Sequence, residues 1–155
     1  MIYIDDGYKE TFKYAFPLLK KYNIRAVWSI PIGLLGGKLE GGEIMSIEDI
    51  KELVKDGQII ASHSITHPQE ITREEIVQSR VELEKLLGVK IMHFVFPYEN
   101  IPSKELLDLA NSEYKVVRPF YNYAFHLISP ETFDWYPFHI TPEKFEDYMK
   151  YEKRN

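Results

Sequence analysis

The chain has no cysteine among its 155 residues. Disulfide bridges, thiolate metal ligands and thiol nucleophiles are therefore excluded, and a metal site would have to use nitrogen and oxygen donors. No apolar run approaches the roughly 18 residues that span a bilayer. The N-terminus lacks a basic region followed by a long apolar one, so we expect a cytoplasmic protein, with secretion left open if the sequence is trimmed.

A basic stripe is also lacking, since the formal net charge is −5 and the basic residues are scattered. We therefore expect no nucleic-acid partner. The hydrophobic fraction of 45% and the charged fraction of 28% are typical of a globular protein with a real core. We predict a single domain over residues 1–155, without membrane insertion and with homo-oligomerisation left open.

Short apolar segments alternate with helical patterns along the chain. Strands are predicted at residues 2–5, 26–30, 58–62, 91–96 and 115–118, and further short strands at 124–128 and 135–140. Helices are predicted at 9–22, 46–57, 72–88 and 103–111, the third opening with a capping box from Thr72 to Glu75. The glycine-rich stretch 31–43 is predicted to be a loop. This alternation indicates parallel strands joined by crossover helices, an α/β fold.

Chemically useful side chains follow the ends of the predicted strands, where α/β folds gather their sites. Asp5 and Asp6 lie at the end of the first strand, and His63 and His67 follow the third. Tyr98 and His139 also fall at strand ends. An isolated Asp-Gly is usually a turn, and a pair of histidines four residues apart is usually exposed. Together, however, the doublet can supply a ligand and a base, and the histidines can offer two imidazoles to one ion. The combination predicts a metal hydrolase.

Other residues allow two interpretations each. The backbone N–H of Tyr98, after a buried strand and Pro97, could donate to an oxyanion or simply follow a structural proline. His139 could be a general acid or a structural histidine. Most Tyr and Trp residues are expected to lie in the core, although Trp28, Tyr98 and Trp135 could line a sugar-binding groove by stacking. His93 and His126 are interpreted as structural.

Three motifs resemble those of a known family. Residues 3–7, Tyr-Ile-Asp-Asp-Gly, resemble the Thr-Phe-Asp-Asp-Gly motif of the NodB-homology polysaccharide deacetylases, carbohydrate esterase family four. Residues 63–67 match the His-Ser/Thr-x-x-His motif of that family, and residues 96–98 match its third motif. The similarity runs in order from about residue 2 to residue 98. Beyond it, residues 131–135 and 137–139 match the last two motifs more loosely.

The resemblance implies a distorted or incomplete (β/α) barrel and a divalent metal held by Asp6, His63 and His67. Zinc is the expected ion, with cobalt, nickel and manganese as alternatives. It also implies that Asp5 is the general base. The position of the family's arginine before Pro-Tyr is occupied by Val95, so no arginine is expected to hold this base.

The remaining roles also follow from the resemblance. Tyr98 would stabilise the oxyanion through its N–H, and His139 would protonate the departing amine. The implied substrate is an acetylated carbohydrate. Pro97 and Tyr98 are expected to contact it, and so are Trp28 and Trp135, the latter two on the stacking argument and not from the resemblance.

The predicted function is a metal-dependent hydrolase that removes N-acetyl, or O-acetyl, groups from an amino-sugar polymer or oligosaccharide. One alternative is hydrolysis of a non-peptide C–N bond in a small linear or cyclic amide on the same scaffold. A second is a non-catalytic carbohydrate-binding relative.

Overall fold

The computed structural model describes residues 2–98 and 102–118. The strands are β1 (Ile2–Ile4), β2 (Ala26–Ile30), β3 (Lys38–Leu39), β4 (Gly42–Glu43), β5 (Ile59–Ser62), β6 (His93–Val95) and β7 (Val116–Arg118). The helices are α1 (Lys9–Lys21), α2 (Ile47–Asp56), α3 (Arg73–Leu87) and α4 (Lys104–Glu113), with a 3₁₀ turn at Ile32–Leu34. None of these helices is long and apolar enough to cross a membrane. The strands predicted at 124–128 and 135–140 lie outside the described residues.

Five of the described strands form one parallel sheet in the order β1-β2-β5-β6-β7. Each crossover therefore moves one strand further in the same direction, as in a (β/α) barrel. The α/β prediction is confirmed.

The two faces of the sheet bury different side chains because successive strand residues point to opposite sides. Trp28 and Phe94 belong to the larger core cluster, whose members also come from the helices. Val27, Ala61 and Val95 form a smaller cluster with Tyr3 on the opposite, inner face. Alternation also points the side chains two positions beyond these inner residues to the same face, at the carboxyl ends of the strands.

The sheet is curled. Neighbouring strands lie about 4.8 Å apart, so the edge strands β1 and β7 would be roughly 19 Å apart if the sheet were flat. Arg118 of β7 nevertheless forms an ion pair with Asp5, the residue after β1. The Tyr3 hydroxyl also lies 3.2 Å from Nδ1 of His93 on β6, across the same inner face. These contacts require that the five described strands curl towards their inner face, as part of a distorted (β/α) barrel.

The helix ends follow the sequence closely. Ser46 and Asp49 form a reciprocal capping box at the start of α2, and Gly57 and Gly88 end α2 and α3 in the left-handed conformation.

The prediction that residues 31–43 form a loop is wrong in part. This stretch contains the 3₁₀ turn and the β3–β4 hairpin, whose two-residue strands are too short for periodicity to reveal.

The side chain of Gln58 links the start of β5 to the start of β2 by hydrogen bonds. Its Oε1 accepts hydrogen bonds from the Ala26 N–H at 2.9 Å and from Nε1 of Trp28 at 3.4 Å. Its Nε2 donates to the carbonyl oxygen of Ile24 at 3.1 Å. The side chain is 7% exposed, so water cannot easily replace these partners.

We predict that Gln58→Leu lowers the free energy of unfolding by about 1–3 kcal/mol, because it leaves buried N–H donors without acceptors. Urea denaturation followed by circular dichroism measures this. The matched control is Gln78→Leu on the exposed face of α3, which should change stability by no more than about 0.5 kcal/mol. Equal effects of the two substitutions would contradict the assignment.

Candidate active site

A left-handed turn separates the two adjacent carboxylates at the end of β1. Asp6 has φ of 68° and Gly7 has φ of 69°. Glycine adopts this conformation freely, whereas aspartate adopts it only occasionally. The Gly7 carbonyl accepts a hydrogen bond from the Met45 N–H at 2.9 Å, which holds the turn. The turn lets Asp5 and Asp6 reach different partners.

Asp6, His63 and His67 bring three ligand atoms together. Oδ1 of Asp6 lies 3.2 Å from Nε2 of His63 and 3.1 Å from Nε2 of His67, and the two Nε2 atoms are 3.2 Å apart. A tetrahedral zinc ion with bonds of about 2.0–2.1 Å would separate its ligand atoms by about 3.3 Å. The nearly equilateral triangle therefore fits one side of such a coordination shell.

The hydrogen bond at the second ring nitrogen of His63 also suits a metal site. Nδ1 of His63 donates to the carbonyl oxygen of Val95 at 2.8 Å, and because a carbonyl can only accept, the neutral ring leaves Nε2 unprotonated. The side chains of His63 and His67 are only 3% and 4% exposed, which leaves Asp6, at 35%, as the open side. Burial alone would raise the pKa of Asp6, but the hydrogen bonds and positive charge that both histidines supply when they are protonated outweigh it and hold the pKa of Asp6 well below its usual range.

The loop that carries the histidines is held by Glu75 of α3. One carboxylate oxygen accepts from the N–H groups of Ile65 at 2.6 Å and Thr66 at 3.0 Å, and the other from the Thr66 hydroxyl at 2.6 Å. This corrects the predicted capping box. Thr72 does accept from the Glu75 N–H, but the Glu75 side chain turns to the histidine loop instead of returning to Thr72.

A glycine provides the second support for this loop. The Gly33 N–H donates to the Ile65 carbonyl at 2.8 Å. A Cβ atom at Gly33 would lie 2.8 Å from both the Ile65 carbonyl oxygen and Cγ2, closer than real contacts allow. The 3₁₀ turn after β2 therefore packs against the histidine loop only because residue 33 has no side chain.

Asp5 is held by residues that the motifs do not contain. The Ser29 hydroxyl donates to Oδ1 of Asp5 at 2.8 Å, and Nη2 of Arg118 contacts Oδ2. The guanidinium of Arg118 also lies 4.8 Å from the centre of the Tyr3 ring. The expectation that no arginine holds Asp5, based on Val95, is therefore wrong. Arg118 is the last residue of β7. Its position at the carboxyl end of a predicted strand is the signal in the sequence that could have identified it as a partner of Asp5.

Tyr98 lies beside the histidines, after β6. Its ring centre is 4.5 Å from that of His67 in an edge-to-face arrangement, and its φ is 54°. Among the described residues, no hydrogen bond uses the Tyr98 N–H. Pro97 is buried, so it offers little surface to a substrate and instead shapes the turn before Tyr98.

The sugar-stacking prediction for Trp28 is wrong. Trp28 is 0% exposed and lies in the outer core, because alternation along β2 points it towards the helices. Trp135 and His139 lie outside the described residues, and their predicted roles stay predictions. His93, interpreted as structural, contacts Tyr3 on the inner face, and burial lowers the pKa of His93 and raises that of Tyr3. Both shifts favour donation by the Tyr3 hydroxyl to a neutral imidazole.

We predict that Glu75→Ala weakens zinc binding about 10- to 100-fold, the usual loss when a group that orients metal ligands is removed. Glu75→Gln, which keeps one acceptor oxygen, should have a smaller effect. Isothermal titration calorimetry with zinc measures both. The neighbouring, exposed Glu74→Ala is the matched control and should bind zinc like the unmodified chain; wild-type affinity in Glu75→Ala would refute the role of Glu75.

Comparison with known proteins agrees with this geometry. The family model described as polysaccharide deacetylase matches residues 1–117. YxkH of Bacillus subtilis (strain 168), which is named as a polysaccharide deacetylase, is 34% identical over 67 residues. That match covers 43% of this chain but 23% of YxkH. The prediction of one domain over residues 1–155 stays a prediction.

Two solved structures share the fold. IcaB from Ammonifex degensii is 20% identical with a TM-score of 0.69, covering 97% of this chain and 72% of IcaB. The Streptococcus pyogenes deacetylase PplD, solved in complex with acetate, is 21% identical with a TM-score of 0.67, covering 95% of this chain and 68% of PplD. The prediction of a distorted or incomplete (β/α) barrel of the deacetylase type is confirmed. Because the family model matches most of the sequence and the fold agrees, this chain belongs to the polysaccharide deacetylase family.

Proposed function

We propose that this chain is a metal-dependent hydrolase that removes N-acetyl groups from an amino-sugar polymer or oligosaccharide. The observation that carries the proposal is the convergence of Asp6, His63 and His67 on one point, next to a separately held carboxylate, Asp5. Family membership supports the reaction type. The metal is proposed to be zinc, because one carboxylate and two imidazoles leave a fourth tetrahedral position open.

The protein groups divide the chemistry between them. A divalent ion on Asp6, His63 and His67 would act as a Lewis acid and lower the pKa of water. Asp5 would accept a proton from a water molecule while the oxygen of that water attacks the acetamide carbonyl carbon. The Tyr98 N–H would donate to the oxyanion that forms. The C–N bond then breaks to give acetate and an amine, and the amine nitrogen takes a proton, for which His139 remains the proposed donor.

The orientation of Asp5 is central to this proposal. A base must lie within hydrogen-bond reach of the proton that it takes. Ser29 engages one carboxylate oxygen of Asp5 and Arg118 the other, from strands on either side of the inner face. The plane of the carboxylate is thus set from two directions, while the side chain stays 27% exposed to a substrate.

Acetate release from acetylated chito-oligosaccharides tests the proposal. We expect activity that a chelator abolishes and zinc restores, and a fall in kcat of about 10²- to 10⁴-fold in Asp5→Asn with zinc binding retained. The matched control is Asp108→Asn on the exposed face of α4, which should keep full activity. Turnover of small amides alone would favour the amide-hydrolase alternative. Glycan binding that is unchanged by Asp6→Ala, in a chain that binds no zinc, would favour the non-catalytic alternative.

A separate prediction concerns the groups that hold the base. Arg118→Ala should lower kcat about 10- to 100-fold by misplacing Asp5, and Ser29→Ala should lower it about 5- to 10-fold, the worth of one hydrogen bond. Zinc affinity should stay within about twofold in both, since both residues act through Asp5, which is not a proposed ligand. Steady-state kinetics with zinc titration measures this, with the exposed Arg73→Ala as control. Wild-type kcat in Arg118→Ala would rule out its role.

A further inference from the structure

The β3–β4 hairpin reaches the active site through Glu40. The Tyr98 hydroxyl donates to Oε1 of Glu40 at 3.0 Å, joining residues that are 58 positions apart in the chain. Glu40 is exposed and Tyr98 is half-buried. The contact lies beside the metal site because the Tyr98 ring also packs edge-to-face on His67. The hairpin has no part in the chemistry described so far.

The hairpin is fixed to the turn that follows the ligand Asp6. An antiparallel bridge joins Tyr8 to Ile44, and the Met45 N–H donates to the Gly7 carbonyl at 2.9 Å. Gly42 packs so closely on the Tyr8 ring that a Cβ atom there would lie 2.6 Å from it. Glu40 therefore projects from a support that is tied to the same residues that place Asp6.

The choice of residue at the hairpin turn is unusual. Glu40 has φ of 49° and Gly41 has φ of 89°, the pattern of two positive φ angles found in two-residue hairpin turns. Asparagine, aspartate or glycine is favoured at the first of these positions. Glutamate gains nothing from this backbone conformation. A strained residue that persists next to a site points to a role for its side chain.

Tyr98 is also in the left-handed region, with φ of 54°, and a bulky side chain adopts that conformation only when its surroundings enforce it. Within the described residues its hydroxyl is held by Glu40 and its ring by His67. Nδ1 of His67 is buried and has no hydrogen-bond partner in the part of the chain that the structure describes. The His67 ring is thus not fixed through its second nitrogen, as that of His63 is, and cannot serve alone as a rigid support for Tyr98.

We propose that Glu40 is a positioning residue for Tyr98, so that the β3–β4 hairpin sets where the Tyr98 N–H points. This rests on the proposed function, in which that N–H stabilises the oxyanion. Loss of one oxyanion donor costs about 10²- to 10³-fold in kcat. Loosening the donor through one accessible hydrogen bond should cost less, about 3- to 10-fold.

The test is Glu40→Asn. Asparagine suits the left-handed turn better than glutamate but is one methylene shorter, so the bond to Tyr98 is lost while the hairpin is kept. We expect an unchanged or higher melting temperature, a 3- to 10-fold lower kcat on acetylated chito-oligosaccharide, and KM and zinc affinity within about twofold. Glu40→Gln, which keeps the length and an acceptor oxygen, should restore kcat to within about twofold. Glu43→Asn, the same change at an exposed glutamate of the same hairpin, should have no effect.

Coupling between the two residues gives an independent readout. Tyr98→Phe keeps the N–H and the ring, so the double variant with Glu40→Asn should lose no more kcat than either single variant. The Tyr98 amide resonance in a ¹H–¹⁵N spectrum should shift in Glu40→Asn and not in Glu43→Asn. Wild-type kcat in Glu40→Asn, additive losses in the double variant, or an unshifted Tyr98 amide would overturn the inference. If the unmodified chain releases no acetate, the proposed function fails, and the amide resonance alone decides the positioning of Tyr98.

Discussion

The separation of two adjacent carboxylates is the constraint on which the site depends. On a regular strand, Asp5 and Asp6 would point to opposite faces, and two carboxylates at one point would repel each other. The left-handed turn at Asp6 and Gly7 removes both problems. It directs Asp6 to the two histidines and leaves Asp5 on the inner face, where Ser29 and Arg118 hold it. One carboxylate can then bind an ion while the other stays available as a base.

The surrounding structure maintains several strained residues close together. Asp6, Ser64, His67 and Tyr98 all have positive φ, and each lies in or beside the candidate metal site. Such conformations persist only where other contacts enforce them. Those contacts come from separate elements: the carboxylate of Glu75 on α3 and the absent side chain of Gly33 hold the histidine loop. The strand ends place the site residues at one edge of the sheet. The helix and the turn that connect the strands then hold the histidine loop in its conformation.

The α/β class, the four described helices and the grouping of Asp6, His63 and His67 could be predicted from the sequence. These predictions rest on local sequence patterns. Hydrophobic periodicity predicts the helices and strands, and the spacing of the motifs predicts which residues come together. The supports could not be predicted because they depend on contacts between separate elements of the folded chain, such as that of Glu75 with the histidine loop. Arg118 reaches Asp5 only because β7 and β1 approach each other, and Val95 at the expected position gave no hint of it. The prediction that Trp28 stacks on a sugar was wrong for a related reason. The face of β2 to which Trp28 points is decided by the register of the strand and not by the composition of the sequence.

The most direct measurement is a crystal structure of the zinc-soaked protein with anomalous scattering recorded at the zinc edge. The proposed chemistry requires one strong anomalous peak within about 2.0–2.2 Å of Asp6, His63 and His67. It also requires that Asp5 stay out of the coordination shell, with its oxygens still on Ser29 and Arg118. A peak elsewhere in the molecule, or an ion coordinated by Asp5, would contradict the division of the two carboxylates into ligand and base.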